Sequence, residues 1–151
     1  MFYSGIYTCG HEGRVQIYGP SKDRERKAQS EFNKMCRDCY IAQQRRAAWK
    51  RATEENLPVL QGTEKQIDWA MQIRERLLSN YEKETIPAQF APAMEYVIEQ
   101  MLHRQTAAHW WIDRRNLTYD AVRTVRDYMN DNPDILTEAK RLTEQNQEMK
   151  V

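Results

Sequence analysis

Apolar and polar positions alternate at the start of the chain and then recur at helical spacing. Phe2, Tyr3, Ile6 and Tyr7 lead into Gly10-His11-Glu12-Gly13, and Val15-Gln16-Ile17-Tyr18 alternates apolar with polar. This is the pattern of a β-hairpin closed by a glycine-flanked turn. Gly19-Pro20 ends it. A helix with mostly charged positions is expected from about Ser21 to Met35, and a second from about Cys36 to Glu55. Leu57-Pro58-Val59-Leu60-Gln61-Gly62 breaks the pattern, so a boundary is expected there, between residues 1–56 and 57–151. Thr63 with Gln66 forms a capping box. Ile67, Ala70, Met71, Ile73, Leu77, Leu78 and Tyr81 follow on one helical face, with Trp69 expected in the core. A further helix starts after Pro87 or Pro92. Its stripe of Met94, Val97, Ile98, Met101 and Leu102 continues towards Trp110, Trp111 and Ile112. Thr118 is placed to cap the next helix, carrying Val122, Val125, Tyr128 and Met129. Pro133 suits the first turn of the last, whose polar tail from Thr143 to Val151 is expected to fray.

Composition agrees with a mainly α chain. Glycine and proline number 5 each among 151 residues, and the frequent Gln, Glu, Arg, Met and Ala are all good helix formers. No run of about 18 apolar residues exists, which excludes a helical membrane span, and MFYSGIYTCG lacks the basic start and apolar stretch of a signal peptide. Three cysteines argue against a closed disulfide framework. The expected compartment is therefore a reducing cytoplasm, where clustered cysteines bind metal more often than they pair.

The hairpin turn and the start of the second helix carry the candidate chemistry. Cys9-Gly-His11 and Cys36-Arg-Asp-Cys39 use every cysteine in the chain. Thiolate sulfur and imidazole nitrogen are the usual ligands of structural zinc, and a helix N-terminus favours the thiolate form. Cys9, His11, Cys36 and Cys39 are the expected ligands of one structural Zn²⁺. Glu12, His103 and His109 are alternatives for the fourth position, and a redox Cys-x-x-Cys pair is an alternative that leaves Cys9 unexplained. A hairpin is marginal alone in water, so zinc is expected to supply folding energy. Catalytic patterns are missing. The zinc-deaminase signature needs H-x-E and P-C-x-x-C, whereas Glu12 directly follows His11 and Met35 precedes Cys36. There is no H-E-x-x-H, G-x-S-x-G or phosphate-binding glycine loop, so no enzyme is expected.

Charge then separates the two parts. The formal net charge is +1, but residues 14–51 hold 11 Lys/Arg against 4 Asp/Glu, and residues 52–151 hold 12 against 17. A basic third suits an acidic protein surface or nucleic acid. Two clusters stand out as partner-binding candidates. Arg45, Arg46, Lys50 and Arg51 surround Trp49. On a helix Trp110 lies over Arg114 and Trp111 over Arg115, and tryptophan and arginine dominate protein hot spots and base-stacking surfaces. Against this stand a solvated basic face for the first cluster and core packing for the tryptophans of the second.

Two stretches carry a family resemblance over roughly residues 7–80. One is Tyr7-Thr8-Cys9-Gly10-His11-Glu12-Gly13 with Asp23-Arg24-Glu25-Arg26-Lys27 and Cys36-x-x-Cys39-Tyr40. The other is Gly62-Thr63-Glu64-Lys65-Gln66-Ile67-Asp68-Trp69-Ala70 with Ile73-Arg74. Together they resemble small zinc-ribbon proteins of bacterial, phage and mobile-element genomes, in which a Cys/His knuckle and a later Cys-x-x-Cys precede a helix opening Gly-Ser/Thr-x-Lys-Gln-x-x-Trp-Ala. The resemblance implies a zinc-ribbon or treble-clef-like module joined to a helical region, with the same four ligands. In general character the chain is also similar to metal-binding anti-CRISPR inhibitors. That similarity implies a protein partner, a Cas effector nuclease in the host bacterial cytoplasm, whose DNA loading the chain obstructs. The alternative expectation is a nucleic-acid-binding zinc protein of replication or transcription.

Overall fold

The computed structural model describes residues 1–148 and is mainly α-helical after an N-terminal β-hairpin. The chain divides into two compact units, the first over Met1–Arg46 and the second from Ala47 onward.

In the first unit, β1 (Phe2–Ile6) pairs antiparallel with β2 (Glu12–Gln16), with Phe2 opposite Gln16 and Ile6 opposite Glu12. Both strands alternate exposed and half-buried residues, so one sheet face is covered and the other is open. The covered face packs on α1 (Ser21–Phe32). Its centre is the glycine pair Gly5–Gly13. A Cβ at Gly5 would fall 2.8 Å from the Phe32 ring, and one at Gly13 would fall 2.2 Å from the Tyr7 ring. Those two rings pack on each other with centroids 5.0 Å apart. The buried apolar residues of this unit are Ile17 and Ala28, a very small core. Burying one isoleucine stabilises by about 1.5–3 kcal/mol, whereas ordering each residue's backbone costs about 1–2 kcal/mol. The unit therefore needs another source of stability.

The division falls inside α2 (Arg37–Glu54). The second unit holds the end of α2, then α3 (Glu64–Glu82), α4 (Ala91–Arg104), α5 (Ala108–Asp113), a 3₁₀ turn at Arg115–Leu117, α6 (Ala121–Asp131) and α7 (Pro133–Glu148). Helix α3 packs on α5 and α6, and α4 packs on α6 and α7. Trp111, Ile73, Met101, Ile135, Val97 and Val125 are its largest fully buried side chains. The capping box forms as expected: Gln66 N–H donates to Thr63 Oγ1 at 3.2 Å, and Thr63 N–H donates to Gln66 Oε1 at 3.0 Å.

Leu57–Gly62 is non-helical, as the break in the pattern predicts, with Leu60 buried and Gln61 paired with Thr106–Ala108 through N–H···O bonds of 2.7 and 2.8 Å. Several local expectations are corrected. The same pairing interrupts the apolar stripe of α4 before Trp110, so α5 is a separate helix. Asp120 rather than Thr118 caps α6, accepting from Arg123 N–H at 3.4 Å, while Thr118 is buried at the end of the 3₁₀ turn. Trp69 is 47% exposed; the buried polar residue of α3 is Arg74, 2% exposed, whose Nη1 donates to the Pro58 carbonyl at 3.1 Å. Burial pushes its guanidinium down to about 10, so it remains charged at neutral pH. The tail from Thr143 is helical up to Glu148, and residues 149–151 lie outside the described residues.

Candidate metal centre

Two backbone devices bring the candidate ligands together. The hairpin turn is held by Tyr7 N–H donating to the His11 carbonyl at 2.9 Å and Gly10 N–H donating to the Tyr7 carbonyl at 2.9 Å. Gly10 has φ of +89°, a left-handed conformation that glycine adopts without a Cβ penalty. The turn is then tied to the loop after α1, because Thr8 N–H donates to the Lys34 carbonyl at 3.0 Å. Cys36 stands just before α2, its carbonyl accepting from Tyr40 N–H at 3.0 Å, and Cys39 follows in the first helical turn.

One donor atom from each of Cys9, His11, Cys36 and Cys39 lies within 4.8 Å of the others, and no disulfide joins the three cysteines. His11 Nδ1 is 3.3 Å from Cys9 Sγ, 3.6 Å from Cys36 Sγ and 3.2 Å from Cys39 Sγ. A tetrahedral ion with metal–sulfur bonds of about 2.3 Å and metal–nitrogen bonds of about 2.1 Å needs nitrogen–sulfur separations of about 3.6 Å. The four donors are therefore spaced for a shared ion. Glu12, His103 and His109 do not belong to the cluster, and of the candidates for the fourth position His11 is the one that joins the three cysteines.

The electrostatics fit a cation. Main-chain N–H groups of Cys36 and His11 pull the Cys9 thiol down to about 6. The Cys36 N–H bond to Cys9 Sγ is 3.4 Å long. The Cys39 thiol is pushed up to about 11, first by hydrogen bonding to the Cys36 sulfur and then by desolvation and its charged neighbours. Three sulfurs this close can all be thiolates only if a positive ion offsets their mutual repulsion.

The partner-binding candidates are dispersed into different roles. Arg51 is largely buried and donates to Glu55 at 2.9 Å, to Glu82 at 2.6 Å and to both oxygens of Glu75. Hydrogen bonding to Glu82 and then Glu75 raises its already high pKa. Lys50 lies 3.9 Å from Glu54. Arg45 also has an interaction partner, Arg46 is exposed, and Trp49 is 52% exposed. In the second cluster Trp111 is 1% exposed, and its Nε1 donates to the Gln105 carbonyl at 2.9 Å. Trp110 is half-buried against Tyr128, with Arg114 stacked over its ring at 3.8 Å. Arg115 does not follow Trp111. Its guanidinium lies 5.7 Å from the Trp69 ring, and Leu117 and Tyr119 are exposed in the same segment. Sequence reasoning misses this Trp69–Arg115 contact because the apolar pattern of α3 assigns Trp69 to the core. No helix among the described residues is long and apolar enough to cross a membrane. The chain has no significant match among protein-family models, curated proteins or solved structures.

Proposed function

We propose that this chain is a zinc-stapled binding protein, in which the metal fixes a scaffold and function lies in direct contact with a partner protein. The observation that carries this reading is the convergence of three cysteine sulfurs and one imidazole nitrogen, all within 4.8 Å of one another and with nitrogen–sulfur distances of 3.2 to 3.6 Å. Soft thiolates with one imidazole favour zinc among the common divalent ions. Four protein donors leave no corner for water, the position a catalytic zinc keeps for its nucleophile. The very small core of the first unit supports a structural role for the ion.

The resemblance to phage and mobile-element zinc-ribbon proteins supports a partner among host defence nucleases in the bacterial cytoplasm. Within that class the reading is an anti-CRISPR that contacts a Cas effector and obstructs DNA loading. A protein partner is preferred to nucleic acid because Arg51 spends its charge on three glutamates and Lys50 faces Glu54, which leaves fewer cations for phosphates. The exposed Trp69 with Arg115, Leu117 and Tyr119 offers the aromatic and guanidinium groups that dominate protein hot spots. The full chain, tested in pull-down and DNA-cleavage assays against a panel of Cas effectors, should bind one of them and slow its cleavage. Absence of both across the panel overturns the nuclease assignment. A gel shift in which the free protein binds DNA or RNA with steep salt dependence transfers the reading to a nucleic-acid-binding zinc protein.

A further inference from the structure

The two outer edges of the hairpin differ in a way that selects a partner. In the antiparallel ladder, Met1 and Ile17 exchange main-chain hydrogen bonds of 3.0 and 3.5 Å, and Tyr7 N–H donates to the His11 carbonyl. Antiparallel pairs alternate between hydrogen-bonded and non-hydrogen-bonded. Given the register, Tyr3–Val15 and Gly5–Gly13 are therefore hydrogen-bonded pairs, and Phe2–Gln16, Ser4–Arg14 and Ile6–Glu12 are not. The N–H and C=O groups of Phe2, Ser4 and Ile6 point away from β2, along an open edge. No other hydrogen bond reaches them among the described residues. Their side chains share the uncovered sheet face, with Phe2 52% and Ile6 63% exposed. Proteins blunt such edges with charge or proline, and Phe2–Ile6 contains neither.

We infer that β1 is a self-association edge: two copies of this chain pair β1 against β1 about a two-fold axis at Ser4, making one four-stranded antiparallel sheet. In that register Phe2 lies opposite Ile6 of the second copy, Ser4 opposite Ser4, and Ile6 opposite Phe2. Every outward-facing N–H and C=O of the three residues then finds a partner. The apolar pairs are cross-strand neighbours of a kind that stabilises sheets, and a sheet of three or more strands gains stability that a lone hairpin lacks. Charge excludes the alternative edge. The outward residues of β2 are Glu12, Arg14 and Gln16, and the same symmetry there sets Arg14 against Arg14, a like-charge pair that opposes association. Arg14 instead stacks over Phe2 of its own hairpin at 4.1 Å, on the face the dimer would extend. The inference does not depend on which partner the protein binds.

The test is the oligomeric state of the full chain, followed by sedimentation from micromolar to millimolar concentration. Wild-type protein should show a reversible monomer–dimer equilibrium. Ile6→Lys and Phe2→Glu, both at exposed positions, should each raise the dimer dissociation constant about tenfold or more. An equimolar mixture of the two variants should recover a heterodimer, because the introduced lysine then faces the introduced glutamate while the second Phe–Ile pair is kept. Circular dichroism and bound-metal content report that both variants remain folded. In wild-type protein mixed from isotope-labelled and unlabelled copies, intermolecular contacts should join the Phe2 ring to the Ile6 methyl groups, a readout that needs no variant. A monomer at every concentration overturns the inference. So does a dimer that neither substitution weakens, or a mixture that fails to reassociate.

Discussion

The main-chain N–H of Cys36 donates to Cys9 Sγ at 3.4 Å, across 27 positions of sequence. The bond joins the two halves of the candidate metal site through the backbone, so the geometry of one thiol is set by the fold of the other's loop. Outer contacts of this kind orient metal ligands and tune their basicity. They also make the site and the fold of the first unit one cooperative object.

Metal removal should therefore unfold the first unit selectively. The purified full chain should contain one zinc per molecule, and chelation at neutral pH should abolish amide protection over residues 1–46. Protection of α3, α4 and α6, whose core is Ile73, Val97, Met101 and Val125, should remain. The apparent zinc contribution should be on the order of 10 kcal/mol. Hydrogen exchange with and without chelator reads it directly, and unchanged protection of the hairpin would refute a structural metal. Cys9→Ser, Cys36→Ser and Cys39→Ser should each reproduce the chelated pattern.

The Arg51 network should matter in the second unit. Its guanidinium meets Glu55, Glu75 and Glu82, and the Arg51 and Glu75 side chains are only 16% and 12% exposed. Arg51→Ala leaves Glu75 without its cation, and breaking such a pair should cost about 3 kcal/mol, the low end for a buried one. Arg51→Lys should recover part of the loss, because one ammonium cannot serve three carboxylates as a guanidinium does. Urea denaturation of the second unit measures both.

The same network predicts an acid-dependent stability. Hydrogen bonding to Arg51 lowers the Glu82 carboxyl below its ordinary value. A carboxyl lowered on folding adds stability above its unfolded pKa, near about 4.3, and that stability is lost as pH falls through the lower folded value. Denaturation midpoints of the second unit should therefore drop as pH is lowered from about 5. The drop should be shallower in Arg51→Met, where no cation holds the carboxyl down. An identical slope in the two proteins would remove Glu82 from the account.

Local chemistry made much of this legible in advance. Thr63 and Gln66 specify the start of α3 by their own hydrogen bonds, and the residue types and spacing of Cys9-Gly-His11 with Cys36-x-x-Cys39 single out the four side chains that cluster. The misreadings share a cause, which is a partner distant in sequence. The apolar stripe of α4 runs on to Trp110 without a local stop, and the break comes from Gln61 pairing with Thr106 and Ala108. Arg74 is buried in place of Trp69 because the Pro58 carbonyl, 16 positions earlier, accepts its N–H. Arg51 reads as a surface cation in the sequence because Glu75 and Glu82 lie on another helix.

The two kinds of tryptophan should separate stability from binding. Trp111 is enclosed and hydrogen-bonded to the Gln105 carbonyl, so Trp111→Ala should cost about 3–5 kcal/mol. Trp69→Ala with Arg115→Ala removes an exposed pair and should cost about 1 kcal/mol or less. If that pair forms the partner surface, the double variant should lose at least tenfold in affinity, about 1.4 kcal/mol, with a melting curve shifted by no more than a few degrees. Titration of the captured partner against each variant reads affinity; retention of full affinity by the double variant would move the surface elsewhere.

A substitution that touches no ligand should also weaken metal binding. A Cβ at position 13 would lie 2.2 Å from the Tyr7 ring, which already packs against Phe32. The ring must move in Gly13→Ala. The Tyr7 main chain holds the turn, its N–H donating to the His11 carbonyl and its carbonyl accepting from Gly10 N–H, so a ring displacement that carries the main chain with it shifts Cys9 and His11 relative to Cys36 and Cys39. Competition with a chromophoric chelator should show zinc affinity reduced about tenfold to a hundredfold, the range seen for lost outer contacts to metal ligands. Tyr7→Ala in the Gly13→Ala background frees the space the methyl group needs but does not restore the packing on Phe32, so it should not recover wild-type affinity. Wild-type affinity in Gly13→Ala itself would mean that the ring is not what positions the turn.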